Sequence, residues 1–170
     1  MSKTHRPAAA IISLLAGRGQ TLALAESCTG GCLAHRLTNV PGASTIFLGG
    51  VVAYSNAAKM KFLGVRPATL RRHGAVSAAT AREMAEGARK RFGADFAVAV
   101  TGVAGPGGGS KAKPVGTVFL AFAGASGVRV RRQFNPGTRG AFKRITTNQA
   151  WEMLRSRLAE PEAARRRGKP

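Results

Sequence analysis

Acidic side chains are scarce in this chain: its 170 residues include 7 Asp and Glu against 27 Lys and Arg. Only Glu26 precedes residue 83; the others are Glu83, Glu86, Asp95, Glu152, Glu160 and Glu162. A glycosidase needs two carboxylates flanking one bond, and an oxygen-ligand metal site needs several converging from different segments, so neither class is well supplied. Histidine and cysteine are equally sparse. His5, His35 and His73 are scattered, and Cys28 and Cys32 stand four apart with no second pair. This spacing gives neither a zinc set nor a disulfide framework, so no metal is expected and a reducing compartment, the cytoplasm, suits the chain. No apolar run approaches the ~20 residues that span a bilayer, which excludes a helical membrane role.

What remains is a globular composition, 44% apolar and 20% charged, of a length that fits one domain. The basic excess gives a net charge of +20, a field that implies an anionic partner. A small phosphorylated molecule, non-specific attraction to nucleic acid, or a merely solvated basic surface all answer to it. Aromatics are 6% of the chain, and neither a basic helix nor a nucleic-acid-binding motif occurs, so sequence-specific nucleic-acid recognition is not expected.

At the N-terminus, Lys3 and Arg6 precede the apolar run Ala8 to Ala16, and Leu22-Ala23-Leu24-Ala25 mimics a signal-peptide cleavage site. Against a leader, Ala8, Ile11, Ile12 and Leu15 keep the spacing of an amphipathic helix, and Arg18 interrupts the run. A helix is therefore expected. Thr21 to Ala25 reads as a strand, and Gly30 and Gly31 open a helix through Leu37. Pro41-Gly42 breaks it, Thr45 to Tyr54 reads as a buried strand, and Asn56 to Leu63 as a helix. Ser77 caps a helix with the apolar face Ala81, Met84, Ala85, Ala88 and Phe92, ended by Gly93. Phe96 to Val100 is a further buried strand. Gly102 to Ser110 holds too much glycine for a regular element and must be a loop. Gly116 to Ala123 and Val128 to Phe134, joined by Gly124-Ala125-Ser126-Gly127, form an antiparallel hairpin. A last helix from Thr138 turns Phe142, Ile145, Trp151, Leu154 and Leu158 inward.

Alternating strands and helices followed by a hairpin predict a three-layer α/β/α sandwich on a mixed, mostly parallel sheet. The domain is expected over residues 1–159, with 160–170 a disordered basic tail. Ligands in such folds sit at the carboxyl ends of the parallel strands. Ser27, Tyr54 and Thr101 fall at three such ends. Ser27, followed by Thr29-Gly30-Gly31 at a helix start, has its hydroxyl near helix N–H groups that can hold an oxyanion, although a simple capping serine would read the same way. No Ser-His-Asp set can be assembled, and Glu26, the residue before Ser27, points to the other face of the strand. A lysine is the remaining base: Lys59 or Lys61, both close behind Tyr54. The chain has no other tyrosine, and a half-buried strand aromatic would account for Tyr54 equally well. The glycine loop carries neither a nucleotide-binding lysine motif nor a dinucleotide fingerprint.

Read together, Ala25-Glu26-Ser27-Cys28-Thr29-Gly30-Gly31, Ala53-Tyr54-Ser55-Asn56-Ala57-Ala58-Lys59 and His73-Gly74-Ala75-Val76-Ser77 resemble the CinA C-terminal domain family. Thr101-Gly102-Val103-Ala104-Gly105-Pro106 and Lys113-Pro114-Val115-Gly116-Thr117-Val118 continue the likeness in order. The resemblance implies hydrolysis of the nicotinamide mononucleotide carboxamide to nicotinic acid mononucleotide and ammonia, a step of pyridine nucleotide salvage, without a cofactor. It implies Ser27 as nucleophile with Tyr54 and Lys59 assisting proton transfer. It further implies that Thr29, Gly30, Gly31, Thr101, Gly102 and Gly105 line the substrate site. Arg139 is expected to bind phosphate, although relatives often carry an acidic residue where Thr138 stands. The chain has the length of the family's stand-alone form, and a homo-oligomer is expected. The competing readings are an inactive family member kept as an interaction module and a basic, non-specific nucleic-acid-binding protein.

Overall fold

The structure is a computed structural model and describes residues 6–159. Its elements run α1 Arg6–Ala16, β1 Leu22–Glu26, α2 Cys32–Thr38, a 3-10 turn Ala43–Thr45, β2 Phe47–Val52, α3 Asn56–Leu63, α4 Pro67–His73, α5 Ala78–Phe92, β3 Phe96–Gly102, β4 Thr117–Gly124, β5 Gly127–Phe134 and α6 Arg139–Ala159. One sheet holds the strands in the order β2-β1-β3-β4-β5. β1 is parallel to both β2 and β3, whereas β4 is antiparallel to β3 and to β5. The expected mixed sandwich is thus the observed fold. The tail after Ala159 lies outside the described residues.

Side-chain volume sorts the two faces. Along β1, β3 and β4, large residues such as Leu22, Leu24, Val98, Val100, Leu120 and Phe122 point to the layer of α1, α2 and α6. The residues between them, Ala23, Ala25, Ala97, Ala99, Ala121 and Ala123, point to the layer containing α3 and α5. An alanine floor brings a helix close, and α5 answers it with its own Ala81, Ala85 and Ala88. α1 buries Ile11 and Leu15 completely, each worth about 2 kcal/mol by removal from water.

Two expectations are corrected. The segment read as a buried strand over Thr45 to Tyr54 is a short strand at the sheet edge, with alternate residues exposed, and Thr45 belongs to the preceding turn. Ile145 is only half-buried, and Thr146 and Thr147 occupy the buried face beside it. Helix α4 was not anticipated; its register is set by Pro67 in the first turn and by Glu83 of α5, which accepts from the Arg66 N–H and the Thr69 hydroxyl.

Close approach of α3 to α5 matters for the site, because α3 carries Lys59. Gly87 makes it possible: a Cβ there would stand 1.7 Å from the Leu63 carbonyl oxygen. No helix among the described residues is long and apolar enough to cross a membrane.

Candidate functional site

Strand β1 ends at Glu26, and the chain must turn sharply to enter α2. Glu26 itself holds that turn. Its carboxylate, 1% exposed, accepts the Thr29 hydroxyl at 2.7 Å and the N–H groups of Gly31, Leu33 and Ala34 at 3.0, 3.1 and 2.9 Å. A carboxylate there satisfies donors that a helix start leaves unpaired, and its charge suits the positive end of the helix. Gly31, at φ 92°, supplies the left-handed residue that lets the chain fold back over it. The expectation of free helix N–H groups beside the Ser27 hydroxyl is thereby corrected: the donors at Gly31, Leu33 and Ala34 are occupied by Glu26.

Held at the tip of this turn, Ser27 is buried, with 8% of its surface exposed. Lys59 reaches it from the first turn of α3, whose N-cap Ser55 accepts the Ala58 N–H. The Lys59 Nζ lies 3.0 Å from Ser27 Oγ, 2.8 Å from the Ala53 carbonyl oxygen and 3.3 Å from that of Tyr54. Among the described residues, none of these hydrogen-bond partners is a carboxylate. Burial pushes the Lys59 pKa below its ordinary 10.5. Lys61, the other candidate base, is exposed beside the Phe62 ring. Of the two lysines, it is Lys59 that touches Ser27.

Three contacts suit a neutral amine. Two N–H groups meet the two carbonyls, leaving the lone pair for the Ser27 O–H, which then becomes the donor. Protonated, the same nitrogen donates to all three oxygens. Proton exchange across this pair therefore needs no rearrangement of its partners.

The other residues of interest fall into two groups. Ser27, Cys28, Tyr54, Lys59, Thr101, Gly102, Gly105 and Arg139 share one open cleft of about 270 Å³, near the ~300 Å³ lower end of small-molecule sites. Thr101, at the end of β3, donates its hydroxyl to the Ala75 carbonyl at 2.8 Å and so ties the cleft wall together. Arg139, opening α6, donates to the Gly105 carbonyl at 2.8 Å and to the Tyr54 phenol oxygen, spanning the mouth. The Tyr54 side chain is exposed, and it is the Tyr54 carbonyl, not its phenol, that touches Lys59. Thr29, Gly30 and Gly31 are not brought to the cleft wall. Thr29 is fully buried against Glu26, and these residues shape the turn behind Ser27.

Cys28 was not singled out for chemistry, yet it lines the cleft beside Ser27. Burial pushes its thiol up to about 12, with the Glu26 charge adding to the rise, so it stays protonated and is a poor nucleophile. Glu26 was set aside because strand alternation turned it away from Ser27; that direction is right, and the helix start it faces is its function. Among the described residues, no group of three or more His, Cys, Asp and Glu could hold a metal.

The CinA C-terminal domain model matches residues 4–158. A CinA-like protein of Mycolicibacterium vanbaalenii is 54% identical over 149 residues, covering 87% of this chain and 35% of that protein. Another, from Parasynechococcus marenigrum, is 50% identical over 153 residues, covering 89% of this chain and 36% of that protein. The chain therefore spans about a third of the length of these curated relatives. Among solved structures, the competence/damage inducible protein CihA from Agrobacterium tumefaciens superposes with a TM-score of 0.89 at 42% identity, over 94% of this chain and 98% of that one. The competence damage-inducible protein A of Klebsiella pneumoniae gives 0.89 at 38% identity, over 92% and 98%. Sequence motifs, fold and relatives agree, and the chain belongs to the CinA C-terminal domain family.

Proposed function

We propose that this chain is an amidohydrolase that converts nicotinamide mononucleotide to nicotinic acid mononucleotide and ammonia through a Ser27 ester. The observation that carries the reading is the 3.0 Å contact between Ser27 Oγ and a buried Lys59 amine with two carbonyls as its other partners. An amine desolvated in this way can take a hydroxyl proton, which a solvated lysine at neutral pH cannot.

In the proposed sequence Ser27 Oγ attacks the carboxamide carbon while its proton passes to Lys59. The C–N bond then breaks, the leaving nitrogen takes that proton and departs as ammonia, and Ser27 is left esterified. Water, deprotonated by Lys59, attacks the ester; the serine oxygen recovers the proton and the carboxylate product leaves. Arg139 supports a phosphorylated substrate, because a guanidinium held by a phenol and a carbonyl can exchange them for a phosphate. Tyr54, released by that exchange, is then able to pass a proton toward the leaving nitrogen.

The test is direct incubation of the purified chain with nicotinamide mononucleotide. One ammonia and one nicotinic acid mononucleotide per substrate consumed is the expected result. Unchanged substrate, with the protein folded by circular dichroism, would reject the reading in favour of an inactive family member.

A further inference from the structure

Asn135 follows directly on β5 and stands shortly before Arg139, the first residue of α6. It is polar, yet only 4% of its surface is exposed, and it does not line the cleft. The connection between the two, Pro136-Gly137-Thr138, is exposed and does not by itself dictate how α6 is set on the sheet. The Asn135 side chain does. Its nitrogen donates to Gln149 Oε1 at 2.7 Å and to the Thr146 hydroxyl at 3.0 Å, and its oxygen accepts from Gln149 Nε2 at 3.0 Å. Both N–H groups and the oxygen are thus used. Thr146 and Gln149 stand about two and three turns into α6, so the bonds grip the helix well beyond its first residues.

The backbone of the same residue is tied to the cleft. Asn135 N–H donates to the Gly116 carbonyl at 2.8 Å, Gly116 N–H donates to the Val103 carbonyl at 2.8 Å, and Val103 lines the cleft wall. One residue therefore joins α6 to that wall. A buried polar network with every member satisfied adds little net stability over apolar packing of the same shape, because its bonds replace bonds to water. What it fixes is geometry: directed bonds break when a helix slides, whereas apolar contacts re-form in a new register. Register counts most at Arg139, whose guanidinium reaches both the Gly105 carbonyl and the Tyr54 phenol across the cleft mouth.

We propose that Asn135, paired with Gln149, is a positioning residue for Arg139: the buried amide pair sets the register of α6 on β5 and so holds the guanidinium at the cleft mouth. Its consequence for turnover rests on the function proposed above, in which Arg139 takes the substrate phosphate. The placement of Arg139 does not rest on it. A phosphate is held alike before and during the reaction, so a misplaced Arg139 raises KM and leaves kcat unchanged.

The experiment removes the pair without removing its volume, in the double variant Asn135→Leu with Gln149→Met; the Thr146 hydroxyl can then turn to a carbonyl of its own helix. Gln149→Met alone, which deletes the two bonds to Gln149, is the milder variant. Tyr54 is the one tyrosine of the chain, so isotope labelling of tyrosine gives a single ring signal in nuclear magnetic resonance, and that signal reports the Arg139 contact without need of activity. It is expected to shift in Arg139→Ala, to shift in the same direction in both pair variants, and to move no further when the pair is removed from Arg139→Ala. In turnover, the double variant should raise KM for nicotinamide mononucleotide roughly tenfold with kcat within about twofold of the wild type, and should add nothing in the Arg139→Ala background. A ring signal that both pair variants leave in place, or that moves as much without Arg139 as with it, would overturn the proposal. So would a loss in kcat with KM unchanged. A wild type that leaves nicotinamide mononucleotide intact rejects the proposed function instead, and the ring signal then decides the role of Asn135.

Discussion

Lys59 is fully buried next to Ser27, and two consequences follow from its lowered pKa. The folded chain gives up this proton more readily than the unfolded chain does. Between the folded pKa and 10.5 the unfolded chain therefore binds more protons, and stability rises with pH across that window. Compared with Lys59→Met, which cannot titrate, wild-type protein should gain in thermal stability as pH climbs from neutral toward 10.5; a difference constant with pH would contradict the assignment. Catalysis should report the same group. The kcat/KM of the wild type is expected to rise along a limb well below the ordinary lysine value and then level off, and Lys59→Ala should lose that limb. An unchanged profile in Lys59→Ala would move the base role to water.

Elements place these residues, and here the sequence was legible to different depths. Helix α5 was readable down to its caps, because Ser77, the apolar positions and Gly93 act within one helix and leave a local pattern. β2 was misread, because hydrophobicity marks a strand without saying whether a neighbour covers it; the edge position follows only from the sheet order. The Ser27 turn was recognised, but its support was not. Glu26 carries no periodic signal, and its four partners lie three to eight residues ahead of it. This carboxylate gives a prediction at the scale of the element. Glu26→Ala leaves the N–H groups of Gly31, Leu33 and Ala34 without their acceptor, and at about 1 kcal/mol each the loss is about 3 kcal/mol. For a chain of this size that lowers Tm by about 6–12 °C. A Tm within about 2 °C of the wild type, or roughly half a kcal/mol, would mean that the turn does not depend on this carboxylate.

For the whole molecule, the fold, the cleft and the charge follow different parts of the sequence. The motifs cluster at the carboxyl ends of β1, β2 and β3, where the parallel strands deliver Ser27, Tyr54 and Thr101 to one cleft. The arginines lie largely elsewhere, on β5 and on helix surfaces. Nucleic-acid binding, which the net charge of +20 favours, should therefore be independent of base sequence and fall steeply with salt through counterion release. A filter-binding titration on unrelated duplexes checks this, and a sequence preference that survives at raised salt would overturn it. The claim on which the account turns is nevertheless local, that Ser27 is the nucleophile. It is tested most directly by ammonia release from nicotinamide mononucleotide by the wild type and Ser27→Ala at equal concentration. The account predicts a loss in Ser27→Ala of at least about a thousandfold in kcat/KM, with stability changed by less than about 1 kcal/mol; a variant retaining activity within about tenfold of the wild type would contradict it.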